Sequence, residues 1–181
     1  MQRLLIVDRD GVINEESATF IKRPSEWIPV PGSLAALGAA TRAGYRIFVV
    51  SNQSGLARGL FDIEDLHRIH ARLLAEASLH GGVIEGFFYC PHAPDDGCDC
   101  RKPQPGLVRA ALTRSGLSAT EAVMIGDRRS DLDAARAGGV KPVLVMTGHG
   151  SATAATLTPA MRCPIFADLA DAVAALGRGV I

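Results

Sequence analysis

The sequence has no excess charge of either sign, since 19 Lys and Arg offset 19 Asp and Glu across 181 residues. Nucleic-acid binders usually carry a basic face, so that class is disfavoured, although a local basic pocket is still allowed. Aromatic residues make up only 5% of the chain, and no stretch interleaves them with basic residues as a single-strand binder would. No apolar run approaches the roughly 18 residues of a membrane span. The first eight residues turn acidic at Asp8 after four apolar positions, unlike a secretory signal, and a cytoplasmic location is expected. There is no internal repeat and no low-complexity tract. Cysteine is sparse, with four residues. In a reducing compartment these are thiols or metal ligands rather than disulfides.

What is present is an ordinary globular balance, 48% hydrophobic and 21% charged. The length predicts a single domain over 1–181, large enough to need no staple for stability. Short apolar runs read as buried strands at 4–7, 47–50, 87–89, 123–125 and 143–146. Helical patterns lie between and after them at 33–43, 63–78, 105–115, 131–137 and 168–176, with Asp62 as an N-cap for the second. This alternation predicts an α/β fold: a Rossmann-like three-layer sandwich with a mainly parallel central sheet. In such a sheet the site lies beyond the carboxyl ends of the strands, which directs attention to the residues after each apolar run. Two segments fit no simple crossover. Residues 14–31 are irregular, and 90–106 hold four prolines, three cysteines, one histidine and three aspartates.

After the first strand, Asp8 and Asp10 are two residues apart on extended chain, and Gly11 allows a sharp turn behind them. Carboxylates this close repel, which favours a divalent cation between them or a proton on one. A solvated Asp-Gly turn would read the same way. After the second strand, Ser51-Asn52-Gln53-Ser54-Gly55 offers a hydroxyl, an amide and glycine backbone for an oxyanion, or simply a polar loop. After the fourth, Asp127 stands where a hard-cation ligand would, while Asp131 fits either a helix cap or an outer metal role. Arg101 and Lys102, an Arg fork beside a Lys point charge, suit a phosphate. Each signal alone is weak. Their joint order, acid, hydroxyl, base and acid at successive strand ends, is not.

Cys90, His92, Cys98 and Cys100 form a C-x-H and C-x-C set within 11 residues. Three thiolates and one imidazole complete a tetrahedral Zn²⁺ shell of the structural kind. That loop, an insertion over 90–106, is expected to act as a rigid bracket aiming Arg101 and Lys102. Cys163 stands apart as a structural or free thiol.

These motifs, from residue 4 to about 131, resemble those of haloacid dehalogenase superfamily phosphatases. The resemblance implies Mg²⁺ dependence and a phospho-aspartyl intermediate. It makes Asp8 the nucleophile and Asp10 the general acid and base. Ser51 and Lys102 would steady the transferring phosphoryl group. Mg²⁺ would be held by Asp8, Asp127 and the backbone carbonyl of Asp10. Val12 departs from the usual Thr, which costs at most a supporting hydrogen bond. The runs Asp-Arg-Asp-Gly-Val-Ile-Asn and Ser-Asn-Gln-Ser-Gly-Leu-Ala-Arg-Gly, the Cys/His quartet and Cys-Arg-Lys-Pro together resemble the D-glycero-D-manno-heptose 1,7-bisphosphate 7-phosphatase family over nearly the whole chain. That implies substrate contacts at Asn52, Arg101 and Arg128, with Glu16–Thr19 as the substrate loop. It also implies a role in supplying nucleotide-activated heptose for cell-surface polysaccharide such as lipopolysaccharide. Cap insertions are short, so no large lid is expected and substrate-binding groups must come from the loops. A small phosphorylated sugar as substrate, and a monomer with no nucleic-acid or membrane partner, are expected. Histidinol-phosphate phosphatases share the motifs and the quartet and are the alternative. Their amine substrate would call for an acidic recognition residue. A polynucleotide 3′-phosphatase and a non-catalytic zinc module fit less well.

Overall fold

The computed structural model describes residues 3–179. Strand β1 (Arg3–Asp8) is followed by α1 (Ser33–Arg42), β2 (Tyr45–Asn52), α2 (Ile63–Leu79) and β3 (Ile84–Cys90). Then come α3 (Gly106–Ser115), β4 (Ala122–Gly126), α4 (Arg129–Ala137), β5 (Lys141–Val145), α5 (Gly150–Ala155), β6 (Ile165–Phe166) and α6 (Leu169–Gly177). Three short 3₁₀ turns complete the set, at Pro24–Glu26, Ala119–Glu121 and Pro159–Met161. All strand pairs are parallel, in the order β3-β2-β1-β4-β5-β6. The order reverses between β1 and β4, and α/β sheets open a crevice at such a reversal.

Alternation along the strands explains the three layers. Leu5 and Val7 of β1 join a core with Leu37 of α1, Ile69 and Leu73 of α2, and Val173 of α6. Leu4 and Ile6 point the other way, onto Val108 and Ala111 of α3 and Ala134 of α4. Each fully buried large aliphatic side chain, such as Leu37, contributes roughly 1.5–3 kcal/mol by leaving water. Helix α2 starts as the sequence implies: the Asp62 carboxylate accepts from Asp65 N at 2.8 Å, and the Asp65 carboxylate accepts in return from Asp62 N.

Several expectations need correction. Helix α4 begins two residues before 131, so Asp131 lies inside its first turn. The last predicted run, 143–146, ends at Val145 and starts earlier, at Lys141. Helix α5 and strand β6 were not foreseen. The 14–31 segment is irregular, as expected, but tied down: Trp27 is fully buried and its Nε1 donates to Asn14 Oδ1 at 2.9 Å. Asn14 also bridges to both Asp10 and Pro29, which folds the segment back onto the end of β1.

Candidate active site

The register places the predicted residues side by side. Asp8 ends β1 opposite Val50, one residue before Ser51 on β2. On the other flank Val7 faces Ile125, so Asp127 follows β4 next to the end of β1. A cavity of about 590 Å³ opens there, lined by Asp8, Asp10, Asn52, Arg101, Lys102 and Arg128 with Glu16 and His149.

At its centre Lys102 is almost wholly buried, with Nζ 2.8 Å from Asp8 Oδ1 and 2.7 Å from Asp131 Oδ1. The same ammonium donates to the Val50 carbonyl at 3.2 Å. Oxygens of Asp8, Asp127 and Asp131 all lie within 4.8 Å of one another. Three carboxylates against one ammonium leave two negative charges uncompensated. Burial and the Asp131 carboxylate push the Asp8 carboxyl well above its usual range, with Asp127 adding to this and Lys102 opposing it. Burial first, and Asp131 next, push Asp127 up to about 7. One Asp127 oxygen accepts from His149 N at 2.7 Å, while Oδ1 is buried with no partner. A hard-oxygen donor set short of two positive charges, with an orphaned oxygen, fits a divalent cation such as Mg²⁺. The backbone makes room for the Asp127 carboxylate: a Cβ on Gly11 or Gly148 would collide with its Oδ2, and both residues have positive φ (81° and 55°).

Asp10 is excluded from that carboxylate group and held separately. Its Oδ1 accepts from Arg9 Nε, Arg9 Nη2 and Asn14 Nδ2 at 3.2, 3.0 and 2.9 Å. Its Oδ2 accepts from Arg9 Nη2 and Gln53 Nε2 at 3.0 and 3.1 Å. Burial opposes the charge, but Arg9 and these hydrogen bonds outweigh it and hold the carboxyl below the usual range.

Other sequence-predicted residues are placed less simply. Ser51 is buried and does not line the cavity. Asn52 lines it, yet both ends of its amide are committed to the Lys102 backbone, accepting from N and donating to O at 3.0 Å each. It therefore helps to fix Lys102, and its second amide hydrogen and second oxygen lone pair are left over. Asp131 caps its helix as one of its two expected readings has it, with Oδ2 accepting from Arg128 N at 2.9 Å, and its Oδ1 pairs with Lys102. Arg101 leans back toward the His92 carbonyl, at 3.5 Å. Arg128 pairs with Glu16 at 3.0 Å, and the same Glu16 oxygen lies 3.8 Å from His149 Nε2. Arg9, Asn14 and His149 were missed as site residues, and Gln53 was read only as part of the polar run after β2. The one available signal was an arginine lodged between two strand-end aspartates.

Beside the cavity, Cys90, His92, Cys98 and Cys100 converge, with Sγ–Sγ separations of 3.6 and 3.5 Å and His92 Nδ1 3.5 and 3.3 Å from two sulfurs. A tetrahedron with metal–sulfur bonds of about 2.3 Å has edges of roughly 3.8 Å, so the quartet has the right size for a metal ion. Cys163 is a free thiol.

Comparison with known proteins agrees with this geometry. A family model described as HAD-hyrolase-like matches residues 99–172. A D-glycero-beta-D-manno-heptose-1,7-bisphosphate 7-phosphatase from Pseudomonas putida is 46% identical over 168 residues, covering 93% of this chain and 95% of that protein. The crystal structure of D,D-heptose 1,7-bisphosphate phosphatase from B. bronchiseptica, complexed with magnesium and phosphate, superposes with a TM-score of 0.93 at 42% identity, covering 98% of this chain and 99% of that one. The corresponding enzyme of Burkholderia thailandensis superposes with a TM-score of 0.73 at 32% identity, covering 97% and 98%. With a parallel sheet in this order, these acidic and basic groups at its switch point and such identity over nearly its full length, the chain belongs to the D-glycero-beta-D-manno-heptose-1,7-bisphosphate 7-phosphatase family of haloacid dehalogenase-like hydrolases.

Proposed function

We propose that this chain is a Mg²⁺-dependent phosphatase that removes the 7-phosphate of D-glycero-D-manno-heptose 1,7-bisphosphate through a phosphorylated Asp8. The observation that carries the reading is the buried Lys102 ammonium held between Asp8 and Asp131 beside the unpartnered Asp127 oxygen. It sets a nucleophile and a cation in one cavity, with a buried acidic group directly behind them. Phosphoryl transfer asks mainly for positioning and charge neutralisation, and this set supplies both.

The Asp8 and Asp127 side chains, with the Asp10 carbonyl, would hold Mg²⁺, which supplies positive charge to the transferring phosphoryl group when bound. Lys102 would neutralise the same group, and it draws Asp8 toward its ionised, nucleophilic form. Asp8 attacks phosphorus while Asp10 gives a proton to the leaving sugar oxygen. Asp10 then takes a proton from the water that releases phosphate from Asp8. Its depressed pKa suits the second step. The negative charge of an incoming phosphate raises it for the first. Ser51 would steady the phosphoryl oxygens, and Arg101 and Arg128 would face the remainder of the bisphosphate. Zn²⁺ is the metal whose ligand preference matches the quartet, in a structural role, since four protein ligands leave no open position.

The reading places a monomer with a small phosphorylated sugar in the cytoplasm. Among the described residues no helix is long and apolar enough to cross a membrane. The histidinol phosphate alternative gains one observation: Glu16 is an acidic residue in the cavity. Its carboxylate is already shared by Arg128, which weakens its pull on an amine. The test compares kcat/KM for heptose 1,7-bisphosphate and histidinol phosphate with Mg²⁺, with ³¹P NMR to show which phosphate leaves. A preference for the bisphosphate, with loss of its 7-phosphate, supports the reading; a preference for histidinol phosphate overturns it.

A further inference from the structure

Arg9 is 1% exposed, and arginine is almost never buried to that degree without a partner. Its partner is the Asp10 side chain, gripped by Nε and Nη2 at 3.0–3.2 Å. The far nitrogen, Nη1, is buried with no partner. The guanidinium is thus seated for Asp10 and not for whatever surrounds its other end. Gln53 closes the arrangement into a ring, accepting from Arg9 Nη2 at 3.2 Å and donating to Asp10 Oδ2 at 3.1 Å. A bidentate fork fixes a carboxylate's plane as well as its place, which a Lys point charge cannot do.

We propose that Arg9, completed by Gln53, is a positioning residue for acid–base catalysis: it aims the Asp10 carboxyl at the leaving-group oxygen and then at the attacking water. The proposal rests on the phosphatase reading of Asp8 and Asp10. In the first half-reaction the Asp8–phosphorus bond forms and the phosphorus–sugar oxygen bond breaks, with the Asp10 proton passing to that oxygen. In the second, water oxygen bonds to phosphorus, its proton returns to Asp10, and the bond to Asp8 breaks. A misaimed Asp10 harms the first half only where the leaving oxygen needs a proton. It harms the second half for every substrate.

That asymmetry is the test. A sugar alkoxide leaves poorly without a proton, whereas p-nitrophenolate leaves unaided. Arg9→Met and Gln53→Ala should lower kcat/KM for the heptose bisphosphate by about a hundredfold or more, in the range of a lost general acid. For p-nitrophenyl phosphate they should lower kcat/KM less than tenfold. A stoichiometric burst of p-nitrophenol should then precede slow turnover, and Arg9→Lys should restore little. Gln53→Ala keeps the question answerable if Arg9→Met fails to fold. Equal losses on both substrates with no burst would show a merely structural role and overturn the proposal. Asp10→Asn serves as the reference. If it discriminates between the leaving groups and the Arg9 and Gln53 variants do not, only this inference falls. If Asp10→Asn itself does not discriminate, the role given to Asp10 falls with it.

Discussion

Replacing Lys102 with Met keeps the length of the side chain and removes its charge. At an effective dielectric near 20, each carboxylate contact at 2.7–2.8 Å represents roughly 6 kcal/mol of attraction. Most of that offsets the cost of desolvating the ammonium, so the net loss should be about 3–5 kcal/mol, the usual penalty for leaving a buried charge unpaired. In a chain of this length that is a fall in Tm of roughly 6–20 °C. The loss also has a sign with pH. Asp8 already sits above the ordinary carboxylate range, and without Lys102 it rises further. A carboxyl raised in the folded state contributes stability that is complete below its unfolded pKa of about 3.9 and is lost as pH rises through the folded value. The difference between wild type and variant should therefore be larger at pH 8 than at pH 5.5. Urea unfolding of both proteins in chelator at the two pH values measures it. A difference below about 1 kcal/mol, the same at both, would refute the reasoning, because an isolated surface lysine behaves that way.

The remaining predictions concern the metals and the backbone around them. Mg²⁺ must displace the protons that Asp127, at about 7, and Asp8 hold, so the rise in Tm it causes should grow from near zero at pH 5.5 to several degrees at pH 8. His70, pushed down to about 3 by burial and by Arg9, contributes stability that is present above 6.5 and lost as pH falls. It contributes equally with and without Mg²⁺ and cancels in the comparison. A Mg²⁺ shift independent of pH would contradict the assignment of these carboxylates. Cys100→Ala should lose zinc by elemental analysis and lose activity through displaced Arg101 and Lys102; unchanged steady-state kinetics in the folded, zinc-free variant would sink the bracket idea. Gly148→Ala should weaken Mg²⁺ binding, measured by calorimetry on the folded variant; unchanged Mg²⁺ affinity would contradict the role given to Asp127. The added Cβ would press on the Asp127 carboxylate and on the Gly11 Cα, so stability falls as well, by more than the roughly 1–3 kcal/mol of the positive φ alone.

What could be read from the sequence follows physical range. Strands β1, β2 and β4, buried on both faces, announce themselves as unbroken apolar runs. The strand-end rule then locates Asp8, Ser51 and Asp127 without knowledge of any contact. Helix α5 has six residues of Gly, Ser, Ala and Thr with no apolar stripe, and β6 has two residues, so neither carries a period long enough to detect. Asp131 stayed ambiguous because one of its oxygens serves a local cap and the other a lysine 29 positions away in sequence. The grip of Asn52 on the Lys102 backbone was out of reach because it spans 50 residues. The Arg9–Gln53–Asp10 ring was out of reach for the same reason, since only the folded chain brings β1 and β2 level.

The chain's one tryptophan adds a practical consequence. Trp27 is fully buried, Arg72 lies over its ring at 5.5 Å, and its indole nitrogen bonds to Asn14, whose amide in turn bonds to Asp10. All indole fluorescence therefore comes from a single chromophore two hydrogen bonds from the acid–base residue. Its emission reports unfolding without a competing signal. It also gives an unlabelled optical readout of any rearrangement that loosens Asn14 from Asp10, on the timescale of a stopped-flow turnover.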